Sequence, residues 1–141
     1  MKVSSINLIA ALGVAAVVLA ACGGAGDDGA GSLSSFSVTP TELNVSSGDA
    51  SCPSGDIGRV LVNGGTAPYD LFGPVGVSFQ SVDPATNLPT GTRILRLGNE
   101  NTQFAVITDG TWCYKDATVS VKDHLGREAV MKLTSAASAA S

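Results

Sequence analysis

From residue 36 onward, short apolar stretches are cut by Gly, Pro, Asn and Asp at intervals of about ten residues. Phe36-Ser37-Val38 leads into Thr39-Pro40, and Leu43-Asn44-Val45 follows. Val60-Leu61-Val62 ends in Asn63-Gly64-Gly65, and Pro68-Tyr69-Asp70-Leu71-Phe72 ends in Gly73-Pro74. Val75, Val77 and Phe79 alternate with Gly76 and Ser78, and Ile94-Leu95-Arg96-Leu97 alternates before Gly98-Asn99. Phe104-Ala105-Val106-Ile107 precedes Asp109-Gly110. Ala117, Val119 and Val121 face one way, and Thr118, Ser120 and Lys122 the other. Asp123-His124-Leu125-Gly126 then turns the chain, and residues 129–133 complete a hairpin. Past Cys22 no window of ten or more residues repeats its apolar positions at three and four. The reading is all-β, a sandwich or barrel. With 141 residues there is room for one such domain. Charged residues are only 14%, against roughly 25% in an average soluble protein, and 17 Gly stand among Ser, Thr and Ala. A helical bundle or coiled coil needs blocks of Ala, Glu, Lys and Leu that are missing.

The N-terminus carries an address. Lys2 supplies one positive charge, and residues 6–21 form an uncharged, mostly apolar run. Sixteen residues are short for a membrane span, which needs about 20, and suit a signal-peptide core. The run ends in Leu19-Ala20-Ala21-Cys22-Gly23, which resembles the lipobox of bacterial lipoproteins. The resemblance implies a signal peptide over 1–21, cleavage before Cys22, a thioether-linked lipid on Cys22 and acylation (palmitate) of its new amino group. Two or more acyl chains hold a protein stably to a bilayer, so the expected partner at this end is the membrane, which the chain is anchored to and does not span. Gly23 after the lipidated Cys, rather than Asp, resembles the signal for sorting to the outer membrane. Residues 22–35 read as a tether: Gly-rich, with Leu33 its one large apolar residue, and with an r.m.s. reach on the order of 20 Å. Asp27-Asp28 on such a chain fall short of the six to eight oxygens of a Ca²⁺ cage. Counting cysteines agrees: of three, assigning Cys22 to lipid leaves Cys52 and Cys113, which can pair.

The remainder resembles a bacterial immunoglobulin-like domain. Val62-Asn63-Gly64-Gly65-Thr66-Ala67-Pro68-Tyr69 is similar to the G-G-x-x-P-Y turn between early strands, and Ser37-Val38-Thr39-Pro40 to a V-x-P entry into the first. Residues 118–129 resemble the closing hairpin. The resemblance covers 36–134, leaves 135–141 as an Ala/Ser-rich tail, and implies a Greek-key sandwich of about seven strands with no particular ligand. In such a sandwich the strands after Cys52 and Cys113 are the second and sixth, lie in opposite sheets and run the same way. That implies a structural disulfide, Cys52–Cys113, closing a loop of 61 residues. Loop-closure entropy gives such a bridge roughly 4 kcal/mol, and an oxidising envelope favours it.

Other function classes are disfavoured residue by residue. A net charge of −4 and a pI near 4.6 argue against nucleic acid. His124 is the only His, which disfavours a His-rich metal site or a His-dependent triad, and it reads as an exposed turn residue. No G-x-S-x-G and no phosphate-cradling Gly loop before a helix occur, so no cofactor is expected. Asn44-Val45-Ser46 matches a glycosylation acceptor only by chance, given the address. Arg93 and Arg96 fall on opposite faces of one expected strand and form no anion clamp. Either Trp112 or Tyr114 packs on the disulfide, or the two form part of a binding rim. Tyr69, Phe72, Trp112 and Tyr114 are the candidate partner contacts. The first strand, Ser37-Val38-Thr39 with Leu43-Asn44-Val45, is the candidate edge for strand addition, and residues 67–74 are the next choice. The expectation is a lipid-anchored, non-enzymatic envelope protein that is structural, adhesive or partner-binding. The alternative is a small hydrolase of envelope polymers, or its accessory, using paired carboxylates from Asp56, Asp70, Asp83, Asp109 and Asp116. These Asp stand beside Gly, Pro or strand ends, where turns want them.

Overall fold

A computed structural model describes residues 35–138. The expected signal peptide, the lipobox with Cys22, all but the last residue of the tether and the end of the tail lie outside the described residues. Within them the chain forms ten strands and no helix. Five make one sheet: β1 (Ser37–Thr39), β3 (Ser54–Asn63), β8 (Gln103–Asp109), β5 (Val77–Val82) and β6 (Pro89–Ile94), in that spatial order. The second sheet runs β2 (Glu42–Ser46), β10 (Glu128–Ala136), β9 (Ala117–Lys122), β4 (Tyr69–Phe72) and β7 (Arg96–Leu97). The fold is a β-sandwich, as the alternation predicts.

Period two puts one face of each strand inside. In β9 and β10 the buried residues are Val119, Val121, Ala129, Met131, Leu133 and Ser135, and their neighbours point out. Val119, Val121, Ala129 and Met131 meet Val60, Val62, Phe79, Phe104 and Val106 from the other sheet in one core. Phe79 and Phe104 pack edge to face there, 5.4 Å between ring centres. Fully burying each large apolar side chain contributes about 1.5–3 kcal/mol, which makes this core the main support of the fold.

The first strand is shared between the sheets. β1 pairs antiparallel with β3, and β2 pairs in parallel with β10. The switch falls at Thr39-Pro40-Thr41, where Pro40 has no N–H to continue a ladder. That division, with two strands drawn from residues 89–97, gives ten strands where about seven were expected.

Three strand assignments need correction. Ile94-Leu95-Arg96-Leu97 is not one strand: β6 ends at Ile94 in one sheet and β7 starts at Arg96 in the other. Ile94 and Leu97 both approach the core, but from opposite walls, so their alternation survives a change of sheet. The strand around Val60 begins six residues earlier, at Ser54, through a bulge between Asp56 and Gly58. A Cβ at Gly58 would lie 2.9 Å from the end of the Leu43 side chain, so glycine lets Leu43 pack closely on this stretch. Finally, β10 runs to Ala136, with Ser135 buried, past the expected boundary at 134.

Candidate functional site

Because β1 and β2 share a direction, β3 and β9, each antiparallel to the first-strand system, run the same way. Both start at one end of the sandwich, and there Cys52 and Cys113 are joined, with Cα atoms 5.1 Å apart. The Thr108 hydroxyl donates to the carbonyl of buried Pro53 beside the bridge. Tyr114 ties the following loop to the end of β10: its N–H donates to Ser135 Oγ, and its carbonyl accepts from the Ser135 N–H. Its hydroxyl donates to the Val75 carbonyl across the end of the sandwich. Burial raises the Tyr114 phenol above its ordinary value, and the Asp109 charge adds to this. Gly76 takes a positive φ of 84° here; a Cβ would stand 2.6 Å from the Tyr114 hydroxyl and 3.0 Å from the Trp112 ring. Trp112 and Val75 themselves stay in solvent, 55% and 80% exposed.

The opposite end holds the chain entry. Phe36 stacks on Tyr69 with ring centres 6.0 Å apart, and the Arg127 guanidinium lies 5.9 Å over its outer face. Beneath them sits Asp123, a buried carboxylate. It accepts from the backbone N–H groups of Thr66, Leu125 and Arg127 and from Arg127 Nε. Burial works against its charge, but the hydrogen bonds from Arg127 and Thr66 and the Arg127 charge outweigh that and hold the carboxyl below its usual value. One side chain therefore closes the β9–β10 hairpin and ties it to the 64–67 turn.

Among the residues singled out from sequence, Cys52 and Cys113 pair, while Cys22 lies outside the described residues. Two of the four candidate contacts, Tyr69 and Tyr114, are buried. Tyr69, 5% exposed, packs in the core and donates its hydroxyl to the Gly64 carbonyl. Tyr114, 8% exposed, is held as described above. Their hydroxyls are satisfied by the Gly64 and Val75 carbonyls. Phe72 and Trp112 are exposed. The five Asp of the alternative reading each have local partners or turn positions. Asp56 pairs with Arg59 and Asp70 with Arg96; Asp83 and Asp109 cap turns at Ala85 and Thr111; Asp116 occupies a left-handed turn. Among the described residues no group of three or more His, Cys, Asp or Glu could hold a metal ion. His124 is exposed in its turn.

Sequence reasoning missed the outer face of the β2-β10-β9-β4-β7 sheet. Register places Arg96, Asp70, Lys122 and Glu128 in one row across β7, β4, β9 and β10, with signs alternating. The next row holds Phe72, Ser120 and Val130. Lys122 Nζ lies 5.9 Å over the Phe72 ring, and Leu95 lines an open groove with Phe72, Asp70 and Arg96. Alternation in each strand gives this face, but only the register between strands forms the rows. No protein-family model, curated protein sequence or solved structure matches this chain, so its reading rests on the residues themselves.

Proposed function

We propose that this chain is a lipid-anchored, non-enzymatic protein of the bacterial cell envelope, held at the outer membrane through Cys22. Its single immunoglobulin-like module serves a structural, adhesive or partner-binding role. The strand order supports the immunoglobulin-like reading: β1-β3-β8-β5 faces β2-β10-β9-β4, which corresponds to A-B-E-D facing A′-G-F-C. The observation that carries the functional reading is the separation of the two ends. The chain enters at Phe36, beside the Asp123 turn, while exposed Trp112 and Val75 stand at the disulfide end. In a domain tethered through its N-terminus that far end is the one away from the point of attachment, where a Trp beside a rigid staple suits partner contact.

Mass spectrometry of the envelope-extracted protein tests the anchor. The expected mature chain begins at Cys22 and carries acyl chains, and Cys22→Ala leaves it unlipidated. A mature chain with an unmodified Cys22 thiol would overturn the anchor. A photo-crosslinking residue placed at Trp112 is expected to capture an envelope partner that the same residue at Leu125, near the entry, does not.

A further inference from the structure

We propose that the outer face of the β2-β10-β9-β4-β7 sheet is the interface between two copies of this chain, related by a two-fold axis parallel to the strands. The row Arg96–Asp70–Lys122–Glu128 reads plus, minus, plus, minus across four strands. Turned over about an axis running between β4 and β9, the row meets itself backwards. Arg96 then faces Glu128 of the second copy, Asp70 faces its Lys122, and each contact occurs twice. A two-fold running across the strands through the row would instead set each charge against its own copy. The charges thus select one of the two face-to-face arrangements.

Charge alone does not require a partner, because each of these groups already has an opposite neighbour about 5 Å away within its own sheet. The apolar residues beside the row supply the remaining argument. Phe72, Leu95 and Val130 are three of the eight large apolar side chains exposed among the described residues, and all three flank this row. In the chosen arrangement Phe72 of each copy comes over Ser120 of the other, and Val130 comes over the Leu95 end. The axis also leaves both Phe36 ends at the same end of the pair. That geometry suits two copies tethered to one lipid surface; this last point rests on the proposed anchor, and the charge pattern does not.

The size of the face sets the strength. Five strands about 4.8 Å apart and about five residues long cover on the order of 400 Å² per copy, half of the roughly 800 Å² of a standard stable interface. The pair is therefore weak when dilute and becomes populated where tethering raises the local concentration.

The test is sedimentation of the full-length chain in detergent from about 10 μM to about 1 mM, a range that brackets weak association. Self-association that weakens with added salt is expected. Asp70→Lys and Lys122→Glu, each alone, should weaken it by about tenfold or more, since each sets like charges together twice. An equimolar mixture of the two variants should restore it, because each chain then presents two charges of one sign to two of the other. That recovery also shows both variants folded. If Asp70→Lys does not fold, Arg96→Glu mixed with Glu128→Lys repeats the test on the other contact of the row. Absence of self-association up to 1 mM overturns the proposal, as does association indifferent to both reversals or a mixture that fails to recover. Loss of lipidation in Cys22→Ala leaves this measurement unchanged, so failure of the anchor and failure of the interface are told apart.

Discussion

The two ends of the sandwich hold the sheets together by different means. At one end a covalent bond joins Cys52 and Cys113, and the loops around it are open and polar, rich in Ser, Asp and Gly. At the other, a single carboxylate gathers backbone donors from two turns and one guanidinium. The contrast follows from loop length. The stretch between β2 and β3 and the stretch between β8 and β9 each wander too far to converge on one small acceptor, so a cross-link fixes them. The turns at 64–67 and 123–127 are tight enough for their N–H groups to point at one side chain. One end is thereby sensitive to reductant and the other to protons.

Breaking the covalent end has the larger expected effect. Replacing Cys52 and Cys113 by Ala should lower stability by about 4 kcal/mol on the loop-closure estimate, and by the same amount at pH 7 and pH 4. Denaturant unfolding at the two pH values checks this; a loss that varies steeply with pH would put the proton-sensitive contact at this end instead.

Asp123→Asn breaks the other end and should cost less. The folded carboxyl lies below its ordinary value of 3.8, so its contribution is complete at neutral pH and is lost as pH falls through that lowered value. The variant should melt below wild type at pH 7, and the gap should close as the pH drops from about 4 to about 2. A gap that stays constant would mean the side chain acts by shape rather than by charge.

The smallest effect sharpens the comparison within the disulfide end. Tyr114→Phe removes the hydroxyl that reaches the Val75 carbonyl and should cost about 1 kcal/mol, with the disulfide still formed. A thiol assay that found free Cys in this variant would show that Tyr114, and not loop closure, brings the cysteines together.

Local pattern carried much of this fold. Val119 and Val121 alternate with Thr118, Ser120 and Lys122, and Leu133 lies between Lys132 and Thr134; all three are buried in the structure. What stayed hidden depends on contacts distant in sequence. Val60-Leu61-Val62 gives no sign that its strand starts at Ser54; pairing with β8 on both sides of the bulge carries it there. Residues 89–93 read as loop because they form a sheet edge with little to bury. There the Gly91 N–H is bonded to Gln80 Oε1 of the neighbouring β5 and the Thr92 N–H to Thr90 Oγ1, contacts that no local pattern gives away. Asp123 reads as an ordinary turn residue; its burial comes from Thr66, 57 positions away. Of the candidate contacts, the burial of Tyr69 and Tyr114 stayed hidden because an aromatic with a polar tip looks the same in sequence whether that tip meets solvent or a backbone carbonyl. Phe72 and Trp112 stay exposed.

The divided first strand gives the domain a direction in which it resists force. A pull on the chain at Phe36, away from the sandwich and along the strand axis, draws β1 lengthwise past β3 and β2 lengthwise past β10. The hydrogen bonds of both ladders lie across that pull, so they share the load and must slide together rather than open one after another. The same pull applied sideways at β1 would peel three residues from one sheet before β2 felt any tension. The domain thus resists a pull from this end best when it comes along the strands.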